Sequence, residues 1–403
     1  MTIRVLEKKR VTLGVTGSIA AYKAVGLASA LHQAGAVVDV AMTPDAQRFV
    51  QPLSFQAITH RPVFADLWAP GMETDIAHVT LGRQSDAILV APATAHALAK
   101  LAQGLADDPV SVTALAARGP LIVAPAMDAG MYIHPATAAN LNTLRARGVV
   151  VVEPEAGHLA SGLVGLGRLA APETILDILR ATLGASGDLA GKTIAVTAGG
   201  THEPIDPVRF ITNRASGKME YALAEAARDR GAHVVLITAP TSLRIPRVME
   251  VLFVEQASEM LQALRDVYAR LDVLIMAAAI ADFRVARPSA DKIKRGAEEL
   301  SLALVPNPDL TAETAELPTS RRPVRVGFAA ETRDLLTQAQ AKLVRKRLDL
   351  IVANDISAGV FGHDTNQVTL LWADGRQQAF PRLPKPDVAE RILDAVAALL
   401  RER

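Results

Sequence analysis

The run Ala198-Gly-Gly-Thr-His-Glu-Pro-Ile-Asp-Pro-Val-Arg-Phe-Ile-Thr-Asn-Arg-Ala-Ser-Gly-Lys-Met219 follows an apolar strand, Thr193 to Thr197, and leads into a helical stretch, Tyr221 to Arg230. Glycines at such a strand-to-helix turn let backbone N–H groups approach an anion, and a helix N-terminus favours negative charge. One segment thus joins a glycine turn, a Glu/Asp/Arg set, an Asn and a Ser-Gly-Lys. It reads as the ligand-binding turn of a doubly wound α/β sheet, whose ligands sit outside the carboxyl ends of the strands.

The same alternation extends in both directions. Strands are predicted at Lys192 to Thr197, Val234 to Thr238, Leu271 to Met276, Val324 to Phe328 and Leu350 to Ala353, with a helix over Ala257 to Arg270. Upstream, Arg10 to Thr16, Val37 to Met42, Ala87 to Val90, Leu121 to Ala124 and Val149 to Val152 form a second series, with a helix over Ala20 to Ala34. Continuous apolar strands separated by helices imply parallel sheets covered on both faces. The small and polar residues Leu183 to Gly191 read as a linker. The expectation is two Rossmann-like α/β domains, residues 1–188 and 189–403.

Composition narrows the function. Lys plus Arg is 43 against 42 Asp plus Glu, so no basic footprint points to nucleic acid. The longest apolar run, Val273 to Ala281, is nine residues, far short of the roughly 20 that cross a bilayer. Met1 to Arg10 has no apolar signal core. These features suggest a cytoplasmic chain without a membrane partner. There is no cysteine, which excludes disulfides and thiolate chemistry, and the nine histidines form no zincin-type pair.

In the first half, Val15-Thr-Gly-Ser-Ile-Ala-Ala-Tyr-Lys23 sets Gly17 and Ser18 at a strand-to-helix turn. The amides of Ser18 and Ile19 and the Ser18 hydroxyl suit a phosphate; an N-capping serine is the plainer alternative. The Gly-x-Gly-x-x-Gly of nicotinamide dehydrogenases is absent after this strand.

Four further segments complete a pattern: Asp75-Ile-Ala-His-Val-Thr-Leu81, Ala91-Pro-Ala-Thr-Ala-His96, Pro125-Ala-Met-Asp-Ala-Gly-Met-Tyr132 and Gly157-His-Leu-Ala-Ser-Gly-Leu-Val-Gly-Leu-Gly-Arg168. From Arg10 to about Leu176 the chain resembles the flavin-dependent cysteine decarboxylases. The resemblance implies FMN lined by Gly17, Ser18, Ile19, Thr43 and Thr94, held between subunits of a trimer, and a catalytic role for His78. It implies oxidative decarboxylation of a substrate carrying a thiol.

Two positions depart from that pattern. Asp128 stands where the family has Asn, and Ser161 where it has an active-site Cys. An ionised Asp128 would repel the substrate carboxylate, and such a like-charge pair retains a proton; Asp128 is therefore expected to work protonated. A serine hydroxyl is a far weaker acid than a thiol, so His158 or a water is the expected final proton donor.

The second half, from about Gly191 to Arg382, resembles the ligase part of the bifunctional coenzyme A biosynthesis flavoproteins, in which phosphopantothenoylcysteine decarboxylase is fused to phosphopantothenate–cysteine ligase. The resemblance implies attack of the 4′-phosphopantothenate carboxylate on CTP, usually with a divalent ion such as Mg2+, followed by capture of the acyl-cytidylate by cysteine. Asn213 matches the residue that holds the acyl-cytidylate, and Lys292 a catalytic lysine that also contacts CTP. Asp282, Pro308, Asp309, Leu310, Thr311, Phe328, Lys342 and Lys346 match the nucleotide site, and Val352-Ala-Asn-Asp-Ile-Ser357 completes the pattern. Lys342 and Lys346, four apart, share a helix face. Arg209 is either a fork for a substrate carboxylate or an exposed arginine. The family further implies decarboxylase trimers and ligase dimers, together a dodecamer. The alternative reading is an active ligase whose flavin domain is a non-catalytic binding scaffold or regulatory module.

Overall fold

The computed structural model describes residues 3–68, 77–295, 299–331, 335–355 and 363–403. Asp75 and Ile76 of the His78 motif and Ile356-Ser357 lie outside the described residues. The chain divides into two compact units, Met1–Gly184 and Ala185–Arg403.

The first unit holds strands β1 (Arg10–Val15), β2 (Val37–Met42), β3 (Val63–Phe64), β4 (Ala87–Ala93), β5 (Leu121–Pro125) and β6 (Val150–Val151), in the order β3-β2-β1-β4-β5-β6. Every pairing is parallel. The runs lack polar alternation because both faces are covered: Leu89 packs into one core, while Ile88 and Val90 pack into the other. The helix Ala21–Gln33 buries Ala24, Leu27, Ala28 and Leu31, a stripe at helical spacing, and Gly35 at φ 97° turns the chain out of it. Burying each of the two leucines contributes roughly 1.5–3 kcal/mol. A hairpin, β7 (Glu155–His158) and β8 (Val164–Arg168), carries the segment with Ser161 at its tip.

The second unit holds β9 (Thr193–Ala198), β10 (His233–Thr238), β11 (Glu250–Phe253), β12 (Val273–Met276), β13 (Val324–Glu331), β14 (Leu350–Asp355), β15 (Val368–Trp372) and β16 (Gln377–Ala379). Their order is β11-β10-β9-β12-β13-β14-β15-β16. The sheet is parallel as far as β14 and antiparallel at β15 and β16. The helices Lys218–Asp229 and Lys385–Arg401 share one core against it, through Leu223, Ala227, Ile392 and Val396.

The supposed linker is not loose. Leu189 is fully buried, its N–H donates to the Arg230 carbonyl, and the Arg230 guanidinium holds Asp188 at 2.5 Å. A Cβ on Gly187 would lie 2.5 Å from the Arg230 carbonyl oxygen, so only glycine fits there. Among the described residues, no helix is long and apolar enough to cross a membrane.

Candidate active sites

In each unit the strand order reverses direction beside its first strand, between β1 and β4 and between β9 and β12. A crevice opens there at the carboxyl ends of the strands.

In the second unit the crevice deepens into a cavity of about 680 Å³. Its floor is set by hydroxyls: Thr197 accepts from the N–H groups of Ala277 and Ala278, and Thr201 from that of Ala281. Five separate segments of sequence meet in it, bringing Asn213, Asp282, Pro308, Asp309, Leu310, Thr311, Phe328, Lys342 and Lys346 to one wall system. The Asn213 amide donates to the Ile280 carbonyl at 3.0 Å. Asn307, absent from the predicted set, donates its side chain to the Ala281 carbonyl at 2.8 Å and its N–H to the Asp282 carbonyl.

Both lysines reach the cavity, and both are engaged. Lys342 donates to the Phe328 carbonyl at 2.7 Å, and Lys346 pairs with Asp309 at 3.1 Å. Asp309 also caps the short helix Leu310–Ala315 by accepting from Thr311 and Ala312. Burial opposes its ionisation, but the Lys346 ammonium and those two N–H groups outweigh burial and hold its carboxyl below the usual range.

Lys292 does not line this cavity. It is exposed on the loop between the strands Phe283–Val285 and Leu304–Pro306. The loop is tethered beside it, because Ile293 donates to the Asp206 carboxylate at 3.1 Å and accepts from Arg209 at 2.7 Å. Arg209 also clasps Asp206 at 2.5 Å, which holds that carboxyl far below its ordinary range. Its fork therefore serves an internal carboxylate, three residues earlier, in the unliganded chain.

Residues that no motif flagged also face the cavity. Glu220, in the first turn of Lys218–Asp229, is 8% exposed, and Lys385, opening Lys385–Arg401, is 7% exposed. Burial pushes the Glu220 carboxyl up to about 7, against opposing pulls from backbone N–H groups and Lys385. Burial lowers the Lys385 ammonium. A buried charge has no signature in a single sequence, since the default reading of Glu or Lys is exposure.

In the first unit two cavities, about 450 Å³ and 370 Å³, share Ser18, Ala126 and Met127 as a common wall. Gly17, Ser18, Thr43 and Thr94 line the larger, and Ile19 lines the smaller. The larger sits at the ends of β1, β2 and β4. Thr94 caps the helix Ala95–Gln103, and the Thr43 hydroxyl accepts from Ala46. The Ser18 amide is spent on the Thr16 carbonyl and its hydroxyl accepts from Ala20, so part of the expected phosphate cradle is engaged locally. A Cβ on Gly17 would lie 2.4 Å from that of Asp45, which fixes glycine at this turn. Hydroxyls on three strand ends around a close-packed glycine turn fit a phosphorylated flavin.

The smaller cavity gathers Asp128, His158 and Ser161. The two departures from the family pattern touch each other: the Ser161 hydroxyl donates to the Asp128 carboxylate at 2.7 Å. The other Asp128 oxygen accepts from Gly130 at 2.9 Å. The Ser161 and Gly130 donors hold the Asp128 carboxyl below its usual range. The expected protonated form is therefore not the form favoured without substrate. Gly167 brings the hairpin this close: a Cβ there would lie 2.2 Å from the Met127 carbonyl oxygen. Lys23 and Arg168 line the same cavity. Burial and the charge of Arg168 lower the Lys23 ammonium. His78, half-buried in the first turn of the helix Ala77–Gln84, lines neither cavity.

Comparison with known proteins matches the two units separately and the chain as a whole. Residues 2–184 match the family described as Flavoprotein, and residues 189–400 the DNA/pantothenate metabolism flavoprotein C-terminal domain. The chain is 44% identical over 402 residues to the Coenzyme A biosynthesis bifunctional protein CoaBC of Bacillus subtilis, covering 98% of each chain. It is 41% identical over 403 residues to that of Escherichia coli K12, covering 99% of each. A solved C-terminal domain of a CoaBC is 37% identical over 54% of this chain and 100% of that chain, with a TM-score of 0.47. A PPC decarboxylase mutant complexed with pantothenoylaminoethenethiol is 31% identical over 43% of this chain and 97% of that chain, with a TM-score of 0.40. Near-full-length identity above 40% to proteins with both units in the same order leaves one assignment: the chain belongs to the family of bifunctional coenzyme A biosynthesis proteins.

Proposed function

We propose that the second unit binds CTP and 4′-phosphopantothenate in its 680 Å³ cavity, and that the first binds FMN and 4′-phosphopantothenoylcysteine across its paired cavities. The chain is a bifunctional enzyme of coenzyme A biosynthesis, with phosphopantothenate–cysteine ligase and phosphopantothenoylcysteine decarboxylase activities. The observation that carries the site assignment is the convergence of Asn213, Asp282, Pro308–Thr311, Phe328, Lys342 and Lys346 on one cavity from five segments.

In the ligase step a carboxylate oxygen attacks the α-phosphorus of CTP and pyrophosphate leaves. The cysteine amine then attacks the acyl carbon, CMP leaves and the amine loses a proton. Lys342 and Lys346 exchange their present partners, Phe328 and Asp309, for nucleotide. Asp282 accepts ribose hydroxyls, and Asn213 donates to the acyl phosphate. A divalent ion such as Mg2+, when bound with the triphosphate, would neutralise part of its charge. Lys292 acts on CTP from its loop, which Asp206 and Arg209 tether through Ile293.

In the first unit, the chemistry FMN supplies when bound is reversible hydride transfer at the carbon bearing the thiol. Lys23 and Arg168 hold the substrate carboxylate, Asp128 takes up a proton as that carboxylate arrives, and His158 returns the last proton. His78 belongs to the site through assembly: Ile19, Tyr22, Met131 and Ile133 are exposed apolar residues in this unit, as a trimer interface requires. Ligase dimers complete the proposed dodecamer.

Incubation with 4′-phosphopantothenate, cysteine, CTP and Mg2+ should release pyrophosphate and CO2 together, from a yellow protein. Absence of pyrophosphate would overturn the ligase assignment, and absence of CO2 the decarboxylase assignment. His158→Gln should lower CO2 release at least tenfold (about the lower limit for a lost proton donor); normal release removes His158 from the mechanism. Asp128→Asn should keep activity within about threefold and flatten the loss of activity with rising pH, since an amide needs no proton to face a carboxylate. An inactive Asn variant contradicts that role.

A further inference from the structure

Arg325 is the second residue of β13, between Val324 and Val326, and all three are fully buried. The strand position calls for an apolar side chain, and burying a guanidinium is costly unless it is fully used. Burial pulls its pKa below the ordinary arginine range, and its Nε has no partner. The two ends of its fork are engaged. Nη1 donates to the carbonyls of Lys346 at 3.0 Å and Arg347 at 3.3 Å. Nη2 donates to the Thr311 carbonyl and to the Thr314 hydroxyl at 3.2 Å.

Those acceptors belong to two segments far apart in sequence. One carries Pro308–Thr311, the other Lys342 and Lys346, and both line the ligase cavity. The second segment ends in Arg347 at φ 49°, a left-handed conformation uncommon for a side-chain-bearing residue. Its carbonyl is held from two sides, by Arg325 and by Arg322 at 2.5 Å. At the cavity lip the same two segments meet again through Lys346 and Asp309. Nucleotide binding would compete for that outer link, because Lys346 is itself a proposed ligand. The link through Arg325 lies behind the cavity wall and stays intact while the outer one opens.

We infer that Arg325 is a positioning residue of the nucleotide subsite: its buried fork fixes the spacing between the Pro308–Thr311 wall and the Lys342–Lys346 wall before CTP arrives. It never touches substrate. Its effect is preorganisation, in which two walls already set at the right distance need not be ordered at the expense of binding. A planar fork holds two walls at once, whereas a lysine, as a point charge, serves one side at a time.

The inference rests on the proposed CTP site, and its test separates the two. In the full-length protein, CTP affinity is measured by calorimetry without other substrates, together with KM for each substrate and kcat for pyrophosphate release. Arg325→Met should raise the Kd and KM for CTP roughly tenfold, as expected for lost preorganisation, with cysteine KM and kcat nearly unchanged. Arg325→Lys should recover part of the CTP affinity. Unchanged CTP affinity in a folded Arg325→Met protein, or an equal rise in every KM, overturns the inference while the CTP site stands. Should that variant not fold, Thr314→Val, which removes one acceptor of the fork, should raise CTP KM about twofold to threefold; no rise overturns the inference. A wild-type protein that neither binds CTP nor releases pyrophosphate removes the site and the inference together.

Discussion

Asn213→Ala is expected to lower ligation by about 10²–10³, the cost of one donor to a developing anion in a preorganised site, while CO2 release from supplied 4′-phosphopantothenoylcysteine stays unchanged. The argument begins with the backbone. Gly200 follows β9 and crosses beside Asn213, and a Cβ there would lie 3.0 Å from the Asn213 carbonyl oxygen. That carbonyl accepts from Ala215, and the side-chain amide donates to Ile280 on the opposite lip. Asn213 is thus held by its main chain and by its side chain before any ligand arrives, the condition under which a hydrogen-bond donor costs no reorganisation during reaction. Asn213→Asp should fall further than Asn213→Ala, because it sets a carboxylate against an acyl phosphate. Both variants are read by the rate of 4′-phosphopantothenoylcysteine formation in the full chain. Alanine and aspartate variants that both ligate at the wild-type rate would remove Asn213 from the site.

The sheets were legible because a strand covered on both faces is written as a continuous apolar run, and Val234-Val-Leu-Ile-Thr238 admits no other reading between two helices. The edges were not. β3 is two residues long, β11 is half-exposed, and β16 is Gln377-Gln-Ala379, polar and fully exposed. Pairing with one neighbour needs no apolar signature, so such strands are invisible to periodicity. The division between the units falls within the predicted linker, but its packing was hidden for a related reason: Gly, Ser and Asp describe a turn-rich segment equally well whether it is loose or packed, and only Leu189 hinted that it is packed. At the sites, contiguous motifs carried the information. Asn213 and Lys342 reached one cavity because the topology places the carboxyl ends of the parallel strands on the same side. Lys292 did not: its loop is tethered through Ile293 to Asp206 and Arg209 rather than to a strand end of the sheet, and no local pattern reports that attachment. Arg325 and Glu220 were missed outright. Each is a charge in a place where burial decides its meaning, and burial comes from other elements of the fold, such as Lys385–Arg401 over Glu220.

Glu220→Gln should stabilise the protein at alkaline pH and leave it nearly unchanged in acid. The native carboxyl titrates at about 7 against an ordinary value of 4.5. A carboxyl whose native pKa is raised binds its proton more tightly folded than unfolded. Below pH 4.5 both states are protonated and Glu220 costs nothing. Between 4.5 and 7 the unfolded chain ionises first, so stability falls as pH rises; above 7 the native group is ionised too and the full penalty stands. At about 1.4 kcal/mol for each tenfold change in proton affinity, that penalty is about 3 kcal/mol, and glutamine removes it. Lys385 attracts the ionised form across the cavity, while Lys218 and Asp364 act on Lys385 with opposite signs. The value of about 7 already contains the Lys385 attraction, so above pH 7 the measured gain should approach about 3 kcal/mol. Urea unfolding of wild type and variant at pH 5 and pH 8 reads it directly: the difference should grow with pH, chiefly between 5 and 7. The ligase rate carries an independent mark of the same group, because a carboxyl that ionises near neutrality changes the charge of the cavity that must accept a triphosphate. A component of the pH–rate profile near 7 should vanish in the glutamine variant. A stability difference independent of pH would mean that the Glu220 carboxyl does not titrate in this range, and that its burial is offset by contacts stronger than those around it here.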